Sequence, residues 1–193
     1  WTRSSGLALT RGHQSLLRAA RKTPGMRVYE RDWQATDQAL AWLADRQGNE
    51  RPFFCSVGFH SPHPPYGSGP YWMDRIDPES ITLPPAERVE HPAMRFMRIT
   101  KGIPENVEDE TIHRIRHTYC AMVAEVDEQI GRILEQLQTS GLADRTLVVF
   151  FSDHGDMQME HGQSRKCSLY EGSVRVPLIL SGPGFAAGEV HEE

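Results

Sequence analysis

Two short apolar runs, PFFCSVGF at 52–59 and TLVVFFS at 146–152, constrain this chain more than any other feature. Neither alternates with polar residues, so each reads as a strand covered on both faces. Between them lies the strongest helical pattern, DETIHRIRHTYCAMVAEVDEQIGRILEQLQTSG. In it Ile112, Ile115, Tyr119, Val123, Val126, Ile130, Leu134 and Leu137 recur three or four residues apart, and Gly141 stops it. At roughly 1.5 Å per residue, about 30 such residues span about 45 Å, enough to cross one face of a sheet. The order strand, helical crossover, strand predicts a parallel pair with a right-handed connection.

Other segments fit the same plan. VPLIL at 176–180 is a third buried-strand candidate. Asp32 is placed to cap a helix WQATDQALAWLADRQ, with Gly48 as its stop. From His60 to Glu108 the periodicity dissolves among nine prolines, which predicts a long surface excursion, 61–108, with short elements of its own. A length of 193 residues suits about one domain.

The net charge of −5 argues against a general nucleic-acid binder. Residues 1–31 carry seven Lys/Arg against one Glu, a basic stretch read as a solvated face or, less simply, an anion contact. No apolar run reaches the length of a membrane span, and the first residues lack the pattern of a signal peptide. Cys55, Cys120 and Cys167 show neither metal-ligand spacing nor a disulfide framework.

A parallel pair brings the carboxyl ends of both strands to one edge, where open α/β sheets bind ligands. That edge would gather His60 and His63 from GFHSPHPPY with Asp153 and His154 from SDHGD, Gly155 permitting a sharp turn. An aspartate oxygen suits a hard divalent cation and imidazole nitrogen suits transition metals, but Asp153 could equally cap the next turn. Asp156, Glu160 and His161 fit no ligand spacing and read as loop hydrogen-bonders or surface charges. His60 and His63 suit proton transfer or anion binding, with a structural role as the alternative. Arg165 and Lys166 follow in HGQSRKCSLYEG; a lysine beside a metal site suits a sulfate or phosphate group, and otherwise the pair is solvated. Together these groups suggest hydrolysis of an anionic ester. A nucleophile is missing, since no cysteine lies in a C-x-P-x-R setting and no G-x-S-x-G elbow occurs.

In FFCSVGFHSPHPPY, YCAMVAEVDEQIGRILEQL and VVFFSDHGDMQMEHGQSRKCSLYEGSVRVPLILSGPG the chain resembles the sulfatases of the alkaline-phosphatase-like superfamily. MRVYERDWQATDQALAWL and YWMDRIDPESITLP carry a closer likeness to a glycosaminoglycan-directed branch that removes 2-O-sulfate from glucuronate.

The resemblance implies an α/β fold: a mostly parallel central sheet with helices on both faces, incomplete in residues 1–193 because the nucleophile region and C-terminal subdomain fall outside. It implies that Asp153 and His154 supply half of a Ca²⁺ (alternatively Mg²⁺) site, that Lys166 contacts the sulfate, and that His63 serves the leaving oxygen. The nucleophile would be a formylglycine from an upstream C/S-x-P-x-R motif. The implied partner is a sulfated glycan or small sulfate ester, with neither nucleic acid nor membrane. The implied compartment is the lysosome in an animal, or the periplasm or exterior in a bacterium. Two alternatives stand beside this reading: a phosphatase or phosphonate hydrolase of the same superfamily, and a non-catalytic binder of sulfated glycans.

Overall fold

The computed structural model describes residues 25–85 and 91–190. Most of the basic stretch read at 1–31 lies outside the described residues.

Two helices make the frame. Helix α1, Glu30–Asp45, packs against α4, Asp109–Thr139, a helix of 31 residues. On α1 the buried side is Asp32, Trp33, Thr36, Ala39 and Leu43, the three-to-four spacing of one helical face. Its N-cap is Tyr29, and no side chain caps it. Asp32, expected as the cap, instead sits inside the first turn, 3% exposed, and its carboxylate bonds elsewhere.

The helix start is held by Glu125, midway along α4 and fully buried. Its Oε1 accepts from the Val28 N–H (2.7 Å), the Tyr29 N–H (3.1 Å) and Trp33 Nε1 (2.7 Å). Two are backbone donors at and just before the N-cap, and the third is an indole of the first turn. One turn on, buried Thr36 donates to Gln129 Oε1 at 3.0 Å. The long helix therefore buries a polar seam against α1. Ile115 and Leu137 of the predicted stripe are buried, but so are Ala121 and Met122 outside it, while Val123 and Leu134 of the stripe are each 43% exposed.

The excursion 61–108 contains short elements, as expected: α2, Pro70–Met73, a 3₁₀ turn at Pro78–Ser80, and α3, Pro92–Thr100. Each starts on proline, whose missing N–H is no loss at a first helical position. His113 and His117, one turn apart on α4, bond through Nε2 to the carbonyls of Pro78 and Ile76. Trp72 Nε1 donates to the Met26 carbonyl at 2.6 Å. The excursion is thus fastened to the helical frame.

Strand β1, Val148–Phe151, pairs antiparallel with β4, Leu178–Ser181; β2, Met157–Gln158, pairs antiparallel with β3, Ser164–Arg165. Short α5, Glu171–Val174, precedes β4. The chain is α/β, but the parallel pair expected of 52–59 and 146–152 is not formed among the described residues. Residues 52–59 hold no regular secondary structure and lie outside either ladder. Phe53 and Val148 do pack on one cluster, Leu43, Leu137 and Leu142, so the two segments reach the same end of α4 without sharing hydrogen bonds.

Apolar side chains on these segments face outward: Phe54 is 91% exposed, Phe151 66% and Leu178 68%. A ladder of two strands has no neighbour to cover both faces, which is why residues of buried-strand type remain exposed.

Glu125→Ala in the complete protein should strand three donors, each costing about 1–3 kcal/mol, and so lower stability by about 3 kcal/mol or more. Glu125→Gln keeps an acceptor oxygen and should lose clearly less. Thermal melts of the two variants give the comparison; equal losses would remove the carboxylate oxygen from this role.

Candidate functional site

The loops after 52–59 and after β1 converge on a recess of about 360 Å³, lined by residues 59–63, Tyr119, residues 152–156 and Lys166. The edge predicted from strand order thus forms without a ladder between the two segments. His63, Asp153, His154 and Lys166 all border it.

Their contacts assign the tautomers. His63 Nδ1 lies 2.7 Å from the Pro64 carbonyl and His154 Nδ1 lies 2.8 Å from the Gly155 carbonyl, so each Nδ1 carries hydrogen. Lys166 Nζ lies 3.3 Å from His63 Nε2 and 2.8 Å from His154 Nε2. An ammonium has donors only, so both Nε2 atoms present lone pairs to it. One lysine charge therefore bridges two neutral imidazoles.

Asp153 Oδ2 lies 3.5 Å from His154 Nε2, with the aspartate side chain 83% exposed. That separation suits adjacent ligands on one cation: atoms held at about 2.3–2.6 Å and near right angles lie about 3.3–3.7 Å apart. Among the described residues no group of three or more His, Cys, Asp or Glu is arranged around such a point. The donor pair fits part of a cation site, with Lys166 occupying the same lone pair.

Backbone geometry presents these groups. Gly155 abuts the backbone of Gly172: a Cβ at Gly155 would collide with the Gly172 carbonyl oxygen, and the Gly155 N–H donates to the Ser173 carbonyl at 2.8 Å. Close approach to α5, beyond the sharp turn expected, is what demands glycine here. Lys166 stands between two left-handed residues, Arg165 (φ 64°) and Cys167 (φ 76°). Such conformations cost about 1–3 kcal/mol each and cluster at functional sites.

Asp156 is a loop hydrogen-bonder, one of the two roles weighed for it. Its Oδ1 accepts from Tyr66 Oη (2.7 Å), Gln158 Nε2 (2.9 Å) and the Arg165 N–H (3.2 Å), joining the segments that carry His63 and Lys166. Burial pushes its carboxyl above the usual range, against the pull of those bonds. Burial, reinforced by Asp156, also raises Tyr66, and it pushes Tyr119 up to about 12, so both phenols stay protonated. Glu160 pairs with Arg116, and His161 stacks on Tyr170 with ring centroids 3.8 Å apart; neither lines the recess. The His60 ring lies 4.9 Å from that of His63.

Three residues have roles that the sequence pattern does not announce. Tyr119 belongs to the apolar stripe of the long helix, yet it lines the recess. Tyr66 closes the quoted HSPHPPY segment but carries no motif that announces its bond to Asp156. Asp32 stands in sequence where a cap is expected, whereas its oxygens accept from the His60 and Ser61 N–H groups, both at 2.9 Å.

Comparison with known proteins gives this geometry a context. The sulfatase family model matches residues 9–193. Arylsulfatase K of Homo sapiens is 35% identical over 97% of the chain, and that of Gallus gallus 34% identical over 96%. In both cases the chain spans 38% of the relative's length. The phosphonate monoester hydrolase of Silicibacter pomeroyi superposes with a TM-score of 0.75 at 28% identity, over 99% of this chain and 43% of that one. With a recess in which one lysine bridges two histidines beside an aspartate, and a family match across nearly its whole length, this chain belongs to the sulfatase family.

Proposed function

We propose that the chain supplies one wall of the active site of a sulfuric ester hydrolase. The observation that carries the reading is the Lys166 ammonium, held between the Nε2 atoms of His63 and His154 at 3.3 and 2.8 Å. A monoanionic sulfate ester entering the recess offers oxygens that an ammonium prefers to imidazole lone pairs, because a charge-assisted bond between ions is the stronger. Lys166 then turns to the sulfate, and both Nε2 atoms are released for other work.

His63 is assigned to the leaving-group side. In hydrolysis the bond from sulfur to the ester oxygen breaks, and that oxygen departs with the electron pair and needs a proton. With Nδ1–H kept on the Pro64 carbonyl, an imidazolium at His63 delivers its Nε2 proton there and returns to the neutral tautomer. His60 is a neighbour with an orienting role. The nucleophile on this reading is a formylglycine outside this chain.

His154 Nε2 and Asp153 Oδ2 are assigned to a Ca²⁺ site, Mg²⁺ being the alternative, completed by residues outside this chain. When bound, the cation would neutralise charge on the sulfate oxygens. Residues 61–108 border the recess at their start and are long enough to form a wall against a sugar. The likeness to arylsulfatase K supports 2-O-sulfoglucuronate at the non-reducing end of a glycosaminoglycan, with a lysosomal setting in an animal or a periplasmic or extracellular one in a bacterium. The full sheet is proposed as mostly parallel, with 52–59 entering its ladder once the remaining polypeptide is present. Similarity to a phosphonate monoester hydrolase supports a second reading, since tetrahedral phosphoryl groups suit the same cations.

Three measurements on the complete, formylglycine-bearing protein test these assignments. Asp153→Ala removes a charged ligand and should sharply weaken Ca²⁺ binding by calorimetry; unchanged affinity rejects the site. His63→Ala should cost about 10²- to 10⁴-fold in kcat on esters of basic alcohols and much less on activated aryl sulfates; equal loss rejects the acid role. Matched disaccharides differing in uronate epimer and sulfate position should show preference for 2-sulfoglucuronate. Preference for another sulfate ester overturns the substrate, preference for phosphoryl esters overturns the sulfatase reading, and binding without turnover favours the glycan binder.

A further inference from the structure

We infer that Asp32 is a positioning residue for His63, acting through the turn that carries the imidazole; the inference rests on the role given to His63 above. Asp32 lies on α1, 28 residues before His60, and is 3% exposed. Its two oxygens divide the work. Oδ1 accepts the His60 N–H and Oδ2 accepts the Ser61 N–H, each at 2.9 Å. A carboxylate matches two adjacent N–H groups that point the same way; no other side chain offers two acceptor oxygens in that geometry.

What Asp32 grips determines where the imidazole stands. The turn closes with the His63 N–H donating to the His60 carbonyl at 3.0 Å, so fixing His60 fixes the start of the turn that bears His63. Beyond His63 the Tyr29 hydroxyl donates to the Pro65 carbonyl at 2.9 Å. Both grips come from one stretch of chain, and they bracket His63. The ring's own orientation is local, set by Nδ1 on the next residue's carbonyl, Pro64. Loop placement therefore becomes ring placement, and the distance from Nε2 to the recess is decided on α1.

A purely structural role would predict lost stability and a uniform loss of activity. Positioning predicts a loss that passes through His63. Asp32→Asn supplies one acceptor and turns an amide donor against the second N–H, which should shift the turn. Displacement of about 1 Å can cost about 10²-fold in rate.

The test is a double-mutant cycle in the complete protein, with Asp32→Asn, His63→Ala and the double variant measured on an alkyl sulfate and an activated aryl sulfate. Asp32→Asn should lose about 10²-fold in kcat on the alkyl ester with little change in KM, and should add little in the His63→Ala background. The same fold-loss in both backgrounds overturns the inference, whatever the leaving group. Failure of the acid role appears separately, as equal loss for both esters in His63→Ala alone, and the cycle still reports whether Asp32 acts through that residue. If Asp32→Asn does not fold, Tyr29→Phe removes only the hydroxyl on Pro65 and enters the same cycle. A smaller loss that vanishes in the His63→Ala background supports the inference, and a loss independent of His63, or none, overturns it.

Discussion

One carboxylate oxygen organises the helical frame. Oε1 of Glu125 accepts three buried donors, two from backbone just before α1 and one from the Trp33 indole. Hydrogen bonds to a charged acceptor contribute about 1.5–3 kcal/mol each, which sets three of them against a desolvation cost of several kcal/mol for the buried ion. The guanidinium groups of Arg27 and Arg132 lie over the Trp33 ring, 5.0 and 5.1 Å from its centroid, so positive charge stands near the indole that donates to the carboxylate. Oε2 has no hydrogen-bond partner among the described residues. The cost of leaving it unpaired is borne by the same three bonds.

From that oxygen the constraint runs outward. Glu125 sets where α1 begins, and the first turn of α1 sets where Asp32 and Tyr29 stand. Those two side chains grip the turn between His60 and Pro65. On the far side of the recess, Asp156 gathers Tyr66 from the same segment and the Arg165 N–H from the strand that delivers Lys166. Buried Asp32 and half-buried Asp156 thus place the histidine and lysine groups that face the recess. The recess is polar and concave, and its walls are backbone held in close contact, as at Gly155 against Gly172.

The sheet is the weaker part. Antiparallel pairing of β1 with β4 satisfies one edge of each strand, yet apolar side chains on both strands remain open to solvent. The chain spans 38% of the length of the arylsulfatase K relatives, and a two-strand ladder cannot supply the layers that such residues require. The helical frame needs no such help: Trp33, Ala121, Met122 and Ile115 are each at most 2% exposed.

The helices and the location of the recess were legible because both follow from local pattern. Apolar spacing along α1 and α4, proline at the head of the short helices of the excursion, and chemically active residues directly after apolar runs are properties of neighbouring residues. Sheet pairing was not legible: a run such as PFFCSVGF states that it wants cover on two faces but not which strand provides it, and its ladder is absent among the described residues. Read alone, the order of residues is enough to put His63, Asp153 and His154 just beyond the strand-like runs and Lys166 a short loop further on. Folding in three dimensions adds that Lys166 bridges the two imidazoles, that Asp32 holds a turn and does not cap its helix, and that Glu125 is buried against the start of α1. Each of those contacts joins different loops or helices, so it depends on which segments pack together and leaves no periodicity to read.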